Sequence, residues 1–111
     1  MKVIIAGSRT ITDFFIVQKA VEKSGFKITE VVSGCAKGVD KLGEMWARQN
    51  KVLVKRFPAK WGVYGKKAGS VRNHKMAEYG DALIACWDGK STGTYDMINQ
   101  MRNKPTYVYK D

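Results

Sequence analysis

The sequence predicts an α/β fold with a doubly wound parallel sheet of about five strands, in the order 3-2-1-4-5. Short runs of apolar residues, typical of strands buried on both faces, alternate with longer segments whose apolar residues recur at helical spacing. Glycine repeatedly stands where a strand gives way to a helix, as in the crossover connections of parallel sheets. We expect residues 1–111 to form a single domain.

The first two strands are joined by an amphipathic helix. Val3–Ala6 is a continuous apolar run, as expected of a strand with both faces covered. The helix that follows begins at a cap residue, Thr12 or Asp13, and ends at Gly25. The second strand covers roughly Glu30 to Ser33.

The second helix and the third strand complete the first half of the chain. The helix follows Gly38, with its apolar residues at 3.6-residue spacing and Asp40 in its first turn. The strand runs from Val52 to Phe57, and Pro58 stops it because proline cannot donate a backbone hydrogen bond.

The second half of the chain begins with a loop and then resumes the alternation. Residues 58–69 are rich in glycine and aromatic residues, which predicts a loop. A helix is predicted over about Val71 to Tyr79, and a buried strand over Ala82–Trp87. The last helix spans about Thr94 to Arg102, and Pro105–Tyr109 is predicted to be an edge strand.

Three loops combine glycine with hydroxyl or basic residues: Gly7–Thr10, Ser33–Gly38 and Gly89–Thr94. Glycine lets backbone amides approach a ligand closely, and the start of a helix offers unpaired N–H groups to an anion. In the predicted strand order, the loops after the first and fourth strands flank the topological switch point, and the loop after the second strand is their neighbour. The sequence therefore predicts that the loops converge on one crevice that binds a phosphorylated ligand.

The predicted phosphate-binding residues all lie in these loops: Gly7, Ser8, Arg9, Gly34, Lys37, Gly38, Asp88, Gly89, Ser91, Gly93 and Thr94. Ser8 and Arg9 are expected to point into the crevice, where Arg9 can bind a phosphate in bidentate fashion. The alternatives are a surface arginine at position 9, a helix cap at Thr94 and an ordinary turn before the second helix. None of the loops has the spacing of a Walker motif.

The charge distribution indicates an anionic partner. The chain has a formal net charge of +10, and no acidic residue occurs between Glu44 and Glu78. The basic residues of that tract are Arg48, Lys51, Lys55, Arg56, Lys60, Lys66, Lys67, Arg72 and Lys75. Such a tract attracts nucleotides or nucleic acid, or it forms a solvated, solubilising face. Trp61 and Tyr64 either stack on a base there or pack over the edge of the sheet.

Several classes of protein are excluded by composition. No apolar run is long enough to span a membrane, and the N-terminal apolar stretch is too short for a signal peptide. We therefore expect a cytoplasmic protein whose two cysteines, Cys35 and Cys86, are reduced. No cluster has metal-ligand spacing, so neither a metal nor a cofactor is predicted.

Four segments carry a family resemblance: Gly7-Ser8-Arg9, Ser33 to Asp40, Arg72 to Met76 and Trp87 to Thr94. They resemble the YspA-related branch of the SLOG superfamily, and the likeness extends from Val3 to about Val108. That superfamily also contains the LOG phosphoribohydrolases and the SLOG domain of DNA-processing protein A. The resemblance implies a Rossmann-like sheet that binds a nucleotide or a nucleotide-derived ligand.

The resemblance also implies two candidate catalytic residues. LOG enzymes cleave the N-glycosidic bond of nucleoside monophosphates with an arginine and an acidic residue; Arg72 resembles the arginine, and Asp96 lies near the place of the acid. Asp88 is an alternative carboxylate or a turn residue. The proline-led start and the paired glutamates of LOG enzymes are absent here, and Cys35 stands where relatives tend to have glycine.

Three functions share this predicted site. A protein that senses or sequesters a nucleotide needs only the loops and the basic groups, whereas a phosphoribohydrolase also needs Asp96 or Asp88 beside the sugar. A single-stranded DNA-binding protein would use the basic tract as a groove. The small size favours binding over catalysis and suits a phage protein, and we expect a homo-oligomer.

Overall fold

The computed structural model describes residues 1–111, which have an α/β fold. Its strands are β1 (Lys2–Gly7), β2 (Glu30–Ser33), β3 (Leu53–Arg56), β4 (Ala82–Trp87) and β5 (Thr106–Lys110). Its helices are α1 (Phe14–Ser24), α2 (Val39–Gln49), α3 (Trp61–Tyr64), α4 (Ala68–Tyr79) and α5 (Thr92–Gln100), with one 3-10 turn at Gly65–Lys67.

All five strands are parallel and lie in the order β3-β2-β1-β4-β5, which confirms the predicted Rossmann-like topology. The central pair is β1 and β4, in a register that places Ile4 beside Leu83 and Gly7 beside Cys86. Both central strands are continuous apolar runs because helices cover both faces of the sheet. None of the helices combines the length and the apolar character needed to cross a bilayer.

The core has two layers, one on each face of the sheet. Side chains alternate along β1, so Val3 and Ile5 belong to the layer that contains Val17 of α1, along with α2 residues. Ile4 lies in the opposite layer, where Met76 of α4 packs with residues of α5. At the carboxyl edge of the sheet, the loops after the strands lie close to the starts of the helices that follow them.

The ends of α1 follow from local capping. Asp13 is the N-cap, and its Oδ1 accepts a hydrogen bond of 3.0 Å from the backbone N–H of Phe15. The helix ends at Gly25, as predicted. Ser91 caps α5 in the same way, so α5 begins at Thr92 rather than at the predicted Thr94.

The prediction of a loop over residues 58–69 is wrong, because α3, the 3-10 turn and the start of α4 occupy residues 61–69. Gly65, with a φ of 58°, is the residue that ends α3 and turns the chain into the next element. Ala68 begins α4 three residues before the predicted start, and its side chain is almost fully buried. Tertiary packing therefore overrides the glycine-rich composition of this segment.

Candidate functional site

A cavity of about 790 Å³ opens at the carboxyl edge of the sheet, where β1 and β4 lie side by side. Residues from the loops after β1, β2 and β4 line it, together with residues of α3, α4 and α5. We call it the switch-point cavity, because strand order reverses between β1 and β4. Ligands of doubly wound folds bind in this position.

The structure separates the sequence-predicted site residues into two groups. Eight of them line the switch-point cavity: Gly7, Arg9, Arg72, Asp88, Ser91, Gly93, Thr94 and Asp96. The other five do not: Ser8, Gly34, Lys37, Gly38 and Gly89. The loops after β1 and β4 therefore supply most of the predicted lining, and the loop after β2 supplies less than expected.

We expected Ser8 to point into the crevice, but it does not line the cavity and instead connects the loops after β1 and β4. Its side chain is buried, and its Oγ accepts a hydrogen bond of 3.0 Å from the backbone N–H of Asp88. Its own backbone N–H donates to the carbonyl of Cys86 at 3.0 Å. The buried hydroxyl of Ser8 thus provides the acceptor for the backbone amide of Asp88.

The loop after β2 supports the site from behind. Lys37 is exposed and does not line the cavity, whereas Gly38 is half-buried, lies close to the backbone of Ser8 and is the N-cap residue of α2. The carbonyl of Gly34 accepts a hydrogen bond from Nη1 of Arg72. Cys35 has a φ of 66°, in the left-handed region that favours glycine.

Asp88 shapes the turn before α5. Its Oδ1 accepts hydrogen bonds from the backbone N–H groups of Lys90 at 2.8 Å and Ser91 at 2.9 Å. These two bonds hold the pKa of the Asp88 carboxyl below its usual range. Its Oδ2 lies 3.5 Å from the hydroxyl of Thr10, in the loop after β1. The geometry favours the turn-residue alternative for Asp88.

The start of α5 presents free backbone amides to the cavity. Ser91 accepts hydrogen bonds from the backbone N–H and from the hydroxyl of Thr94, which is itself buried. The hydroxyl of Thr94 is therefore engaged within the cap. The backbone N–H groups of Thr92 and Gly93 have no acceptor in the protein, and both residues line the cavity. Unpaired amides at a helix start are suited to bind an anion.

A chain of hydrogen bonds connects the two candidate catalytic residues. Arg72 donates through Nε to Oδ1 of Asn73 at 2.9 Å, and Asn73 donates through Nδ2 to Oδ2 of Asp96 at 2.9 Å. Gln100 donates to the same oxygen of Asp96 at 3.0 Å. Arg72 and Asp96 are thus linked through Asn73, a buried residue that the sequence analysis did not single out.

Asp40 is the second lining residue that sequence reasoning missed. It is 5 % exposed, and its Oδ2 accepts a hydrogen bond of 3.1 Å from the backbone N–H of Ala36. Burial raises the pKa of its carboxyl to about 6, although Arg72 and Arg9 lower it. In the sequence, the four-residue spacing of Asp40 and Glu44 places two carboxyls on one side of α2 but does not show that this side is buried.

Glu44 anchors the end of β3 to α2. Its side chain is buried, its Oε2 accepts a hydrogen bond of 2.6 Å from the hydroxyl of Ser33, and its Oε1 lies 2.8 Å from Nη2 of Arg56. Because these partners satisfy the carboxylate, Glu44 has a structural role beside the site.

The switch-point cavity contains both cations and carboxylates. Its cations are Arg9, Lys66, Arg72 and Lys90, and its carboxylates are Asp40, Asp88 and Asp96. Trp61, which is 52 % exposed, also lines the cavity. The basic tract of the sequence is not one continuous groove. Arg48 and Lys51 precede β3 and therefore lie at the opposite edge of the parallel sheet.

Comparisons with known proteins agree with this fold. The chain is 36% identical over 103 residues to the Gene 61 protein of Mycobacterium phage D29, an alignment that covers 84% of this chain and 82% of that protein. No solved structure matches the chain. The YspA, cpYpsA-related SLOG family matches residues 1–64, which include β1, β2, β3 and the first two glycine loops. The chain therefore belongs to the YspA, cpYpsA-related SLOG family.

Proposed function

We propose that the protein binds a nucleotide or a nucleotide-derived ligand in the switch-point cavity, and that it acts by sensing or sequestering that ligand. One observation carries the proposal. The unpaired N–H groups of Thr92 and Gly93 and the guanidinium of Arg9 border the same cavity at the switch point of the sheet. Membership of a SLOG family supports a nucleotide-related ligand.

The lining of the cavity offers partners for each part of a nucleotide. The free amides at the start of α5, Arg9 and Lys90 would hold phosphate oxygens. Asp96, whose Oδ2 already accepts two amide hydrogen bonds, would accept a ribose hydroxyl through its other oxygen. Trp61 would stack on the base.

The first experiment is to incubate the purified protein with nucleoside monophosphates, NAD, ADP-ribose derivatives and cyclic dinucleotides. Chromatography with mass detection then follows both free ligand and products. Loss of free ligand, with the intact compound recovered after heat denaturation, is the result expected of a protein that binds without cleaving. If every compound stays free and unchanged, the proposal is wrong.

The role of Arg9 is tested with a matched pair of variants. Arg9→Ala removes a cation that borders the cavity, and a charge-assisted bond to phosphate contributes roughly 1.5–3 kcal/mol. We expect Arg9→Ala to weaken binding by roughly 10- to 150-fold. Lys37→Ala removes the same formal charge from an exposed residue outside the cavity and should leave the affinity unchanged. If both variants lose affinity equally, the loss results from the lower net charge of the protein and not from the position of Arg9.

A LOG-like phosphoribohydrolase remains the second candidate function. The hydrogen-bonded chain from Arg72 through Asn73 to Asp96 favours it, because it holds a carboxylate and a cation at fixed positions beside one cavity. Asp96→Ala should then abolish release of free base from a monophosphate while the nucleotide still binds. If no base is released by the unmodified protein, this candidate is excluded.

Binding of single-stranded DNA is the third candidate function, and it would involve only part of the basic tract. The cations of the basic tract that lie near the carboxyl edge include Lys60, Lys66 and Lys75, but the tract does not form one groove. An affinity for single-stranded DNA that falls steeply with salt concentration would support this function. An affinity that does not change with salt would exclude it.

The proposal also covers the origin of the protein and its oligomeric state. Similarity to the Gene 61 protein of a mycobacteriophage supports a phage origin, in which a small binding domain would sequester a nucleotide of the host cytoplasm. We further propose self-association, because the switch-point cavity is open and a second copy would close it. Sedimentation velocity over a range of protein concentrations tests this, and a purely monomeric result would contradict it.

A further inference from the structure

A second cavity, of about 190 Å³, lies on the other side of α4, at the end of β3. We call it the β3 cavity; its walls are Arg56, Phe57, Pro58, Lys60, Tyr64, Ala68, Val71, Arg72 and Lys75. It shares a single residue, Arg72, with the switch-point cavity. The proposed nucleotide site does not account for it.

Helix α4 is the partition between the two cavities. Gly69 and Asn73 line the switch-point cavity, whereas Val71 and Lys75 line the β3 cavity, in agreement with helical periodicity. The short helix α3 also contributes to both cavities: Trp61 lines the switch-point cavity, and Tyr64, three residues later, lines the β3 cavity. An aromatic side chain therefore stands in each cavity, on either side of one helix.

The lining of the β3 cavity is cationic and aromatic. No acidic residue lines it, and Lys60, Arg72 and Lys75 have no carboxylate within salt-bridge distance. Arg56 alone is neutralised, by the buried carboxylate of Glu44. The ammonium of Lys75 lies 5.7 Å from the centre of the Tyr64 ring. A lining of this composition suits an aromatic ring that carries a phosphate.

Arg72 retains hydrogen-bond donors without a partner, which a ligand in contact with both cavities could use. Its Nε and Nη1 are held by Asn73 and Gly34, whereas its Nη2 has no acceptor in the protein. The side chain is therefore fixed in place with a free amino group between the two cavities. A phosphate that passes from one cavity to the other would meet this group.

Size decides what the β3 cavity can hold. At about 190 Å³, it is smaller than the range of roughly 300–1,000 Å³ typical of a complete small-molecule site. It therefore suits one part of a larger ligand whose remainder lies in the switch-point cavity. We propose that the β3 cavity is a second base subsite and that the ligand is a dinucleotide, with its bridging phosphate at Arg72. This inference rests on the proposed function of the switch-point cavity.

The test compares ligands of different length. The common 5′-ribonucleoside monophosphates and the corresponding 5′-phosphorylated homodinucleotides are titrated against the protein by calorimetry. We expect the best dinucleotide to bind at least tenfold more tightly than its mononucleotide, because one added stacking contact contributes about that much. A dinucleotide that binds no more tightly than the mononucleotide overturns the inference and leaves the proposed function intact. Failure of the protein to bind any mononucleotide or dinucleotide overturns both.

Variants of the β3 cavity provide the second arm. Tyr64→Ala and Lys75→Ala change exposed residues, so the fold should be retained. Each should weaken dinucleotide binding about tenfold and leave mononucleotide binding unchanged. Lys67→Ala, an exposed lysine that lines neither cavity, is the matched control and should change neither affinity. Equal losses for both ligands in Tyr64→Ala would count against a separate subsite.

Longer oligonucleotides distinguish a dinucleotide from a nucleic-acid strand. If the affinity reaches a plateau at the dinucleotide, the two cavities account for the whole ligand, as proposed. If tetranucleotides and octanucleotides bind progressively more tightly by a factor of ten or more, the β3 cavity is a segment of a path for single-stranded nucleic acid, and the dinucleotide assignment is wrong.

Discussion

Replacement of Asp40 by asparagine should stabilise the protein, and the gain should increase with pH. Asp40 is almost fully buried, and its carboxyl titrates at about 6 in the folded state against an ordinary value of 3.8. Because the folded pKa is the higher one, ionisation of Asp40 opposes folding. Its cost is absent well below pH 3.8 and is fully present above about pH 6.

The expected gain follows from these two pKa values. Linkage places the ionisation cost at about 1 kcal/mol at pH 4.5 and about 3 kcal/mol at pH 7.5. Asp40→Asn abolishes the cost and leaves an oxygen to accept the hydrogen bond from Ala36. The difference in free energy of unfolding between the variant and the unmodified protein should therefore grow by about 2 kcal/mol between these two pH values.

Urea unfolding at several pH values between 4.5 and 7.5 measures this difference directly. The growth of the difference with pH is the informative quantity, since a change in packing at position 40 adds a constant offset. Asp13→Asn is the control for a carboxylate-to-amide change at an exposed helix cap, where asparagine serves as well as aspartate. A difference for Asp40→Asn that stays constant with pH would refute the argument that burial governs this carboxyl.

Three further variants test the packing in and around the site. Gly38→Ala should lower the free energy of unfolding by about 2 kcal/mol or more, because Gly38 has a φ of 76° and an added Cβ would lie 2.4 Å from the carbonyl oxygen of Ser8. In Gly93→Ala, the added Cβ meets nothing within 4 Å, so this variant should be neutral or slightly stabilising. Equal urea midpoints for Gly38→Ala and Gly93→Ala would contradict this reasoning. Glu44→Ala leaves the buried hydroxyl of Ser33 without its acceptor and should cost about 1–3 kcal/mol by thermal unfolding; an unchanged midpoint would show that water replaces the carboxylate.

The sheet could be predicted because its strands carry unambiguous signals. Glu30–Ser33 and Ala82–Trp87 have the predicted bounds; the first centres on the apolar pair Val31–Val32, and the second is a continuous apolar run. The structure of residues 61–69 was harder to predict from the sequence, because three glycines there outweigh the helical signal. Only the burial of Ala68 shows where α4 begins. Helix starts also depend on which hydroxyl acts as the cap, and Ser91 and Thr94 are equivalent in sequence terms.

The position of the candidate site followed from topology, whereas the roles of its side chains did not. Strand order placed the cavity between the ends of β1 and β4. The directions of Ser8 and Lys37 depend on turn geometry, which residue type does not determine. Asp40 and Asn73 resemble ordinary polar helix residues in the sequence, and only their burial identifies them as part of the site. Functional groups of this kind are visible only once the packing is known.

The strand order also has a consequence for how the chain folds during synthesis. The first three strands can pair as soon as residue 56 has emerged, but the partner of β1 on its other side begins at residue 82. Until then, β1 is an open, strongly apolar edge that offers unpaired backbone groups to any neighbouring chain. Because the loop after β4 and helix α5 line the switch-point cavity, a ligand of that cavity would bind only chains that have closed this edge, and its presence would draw newly made protein away from aggregation.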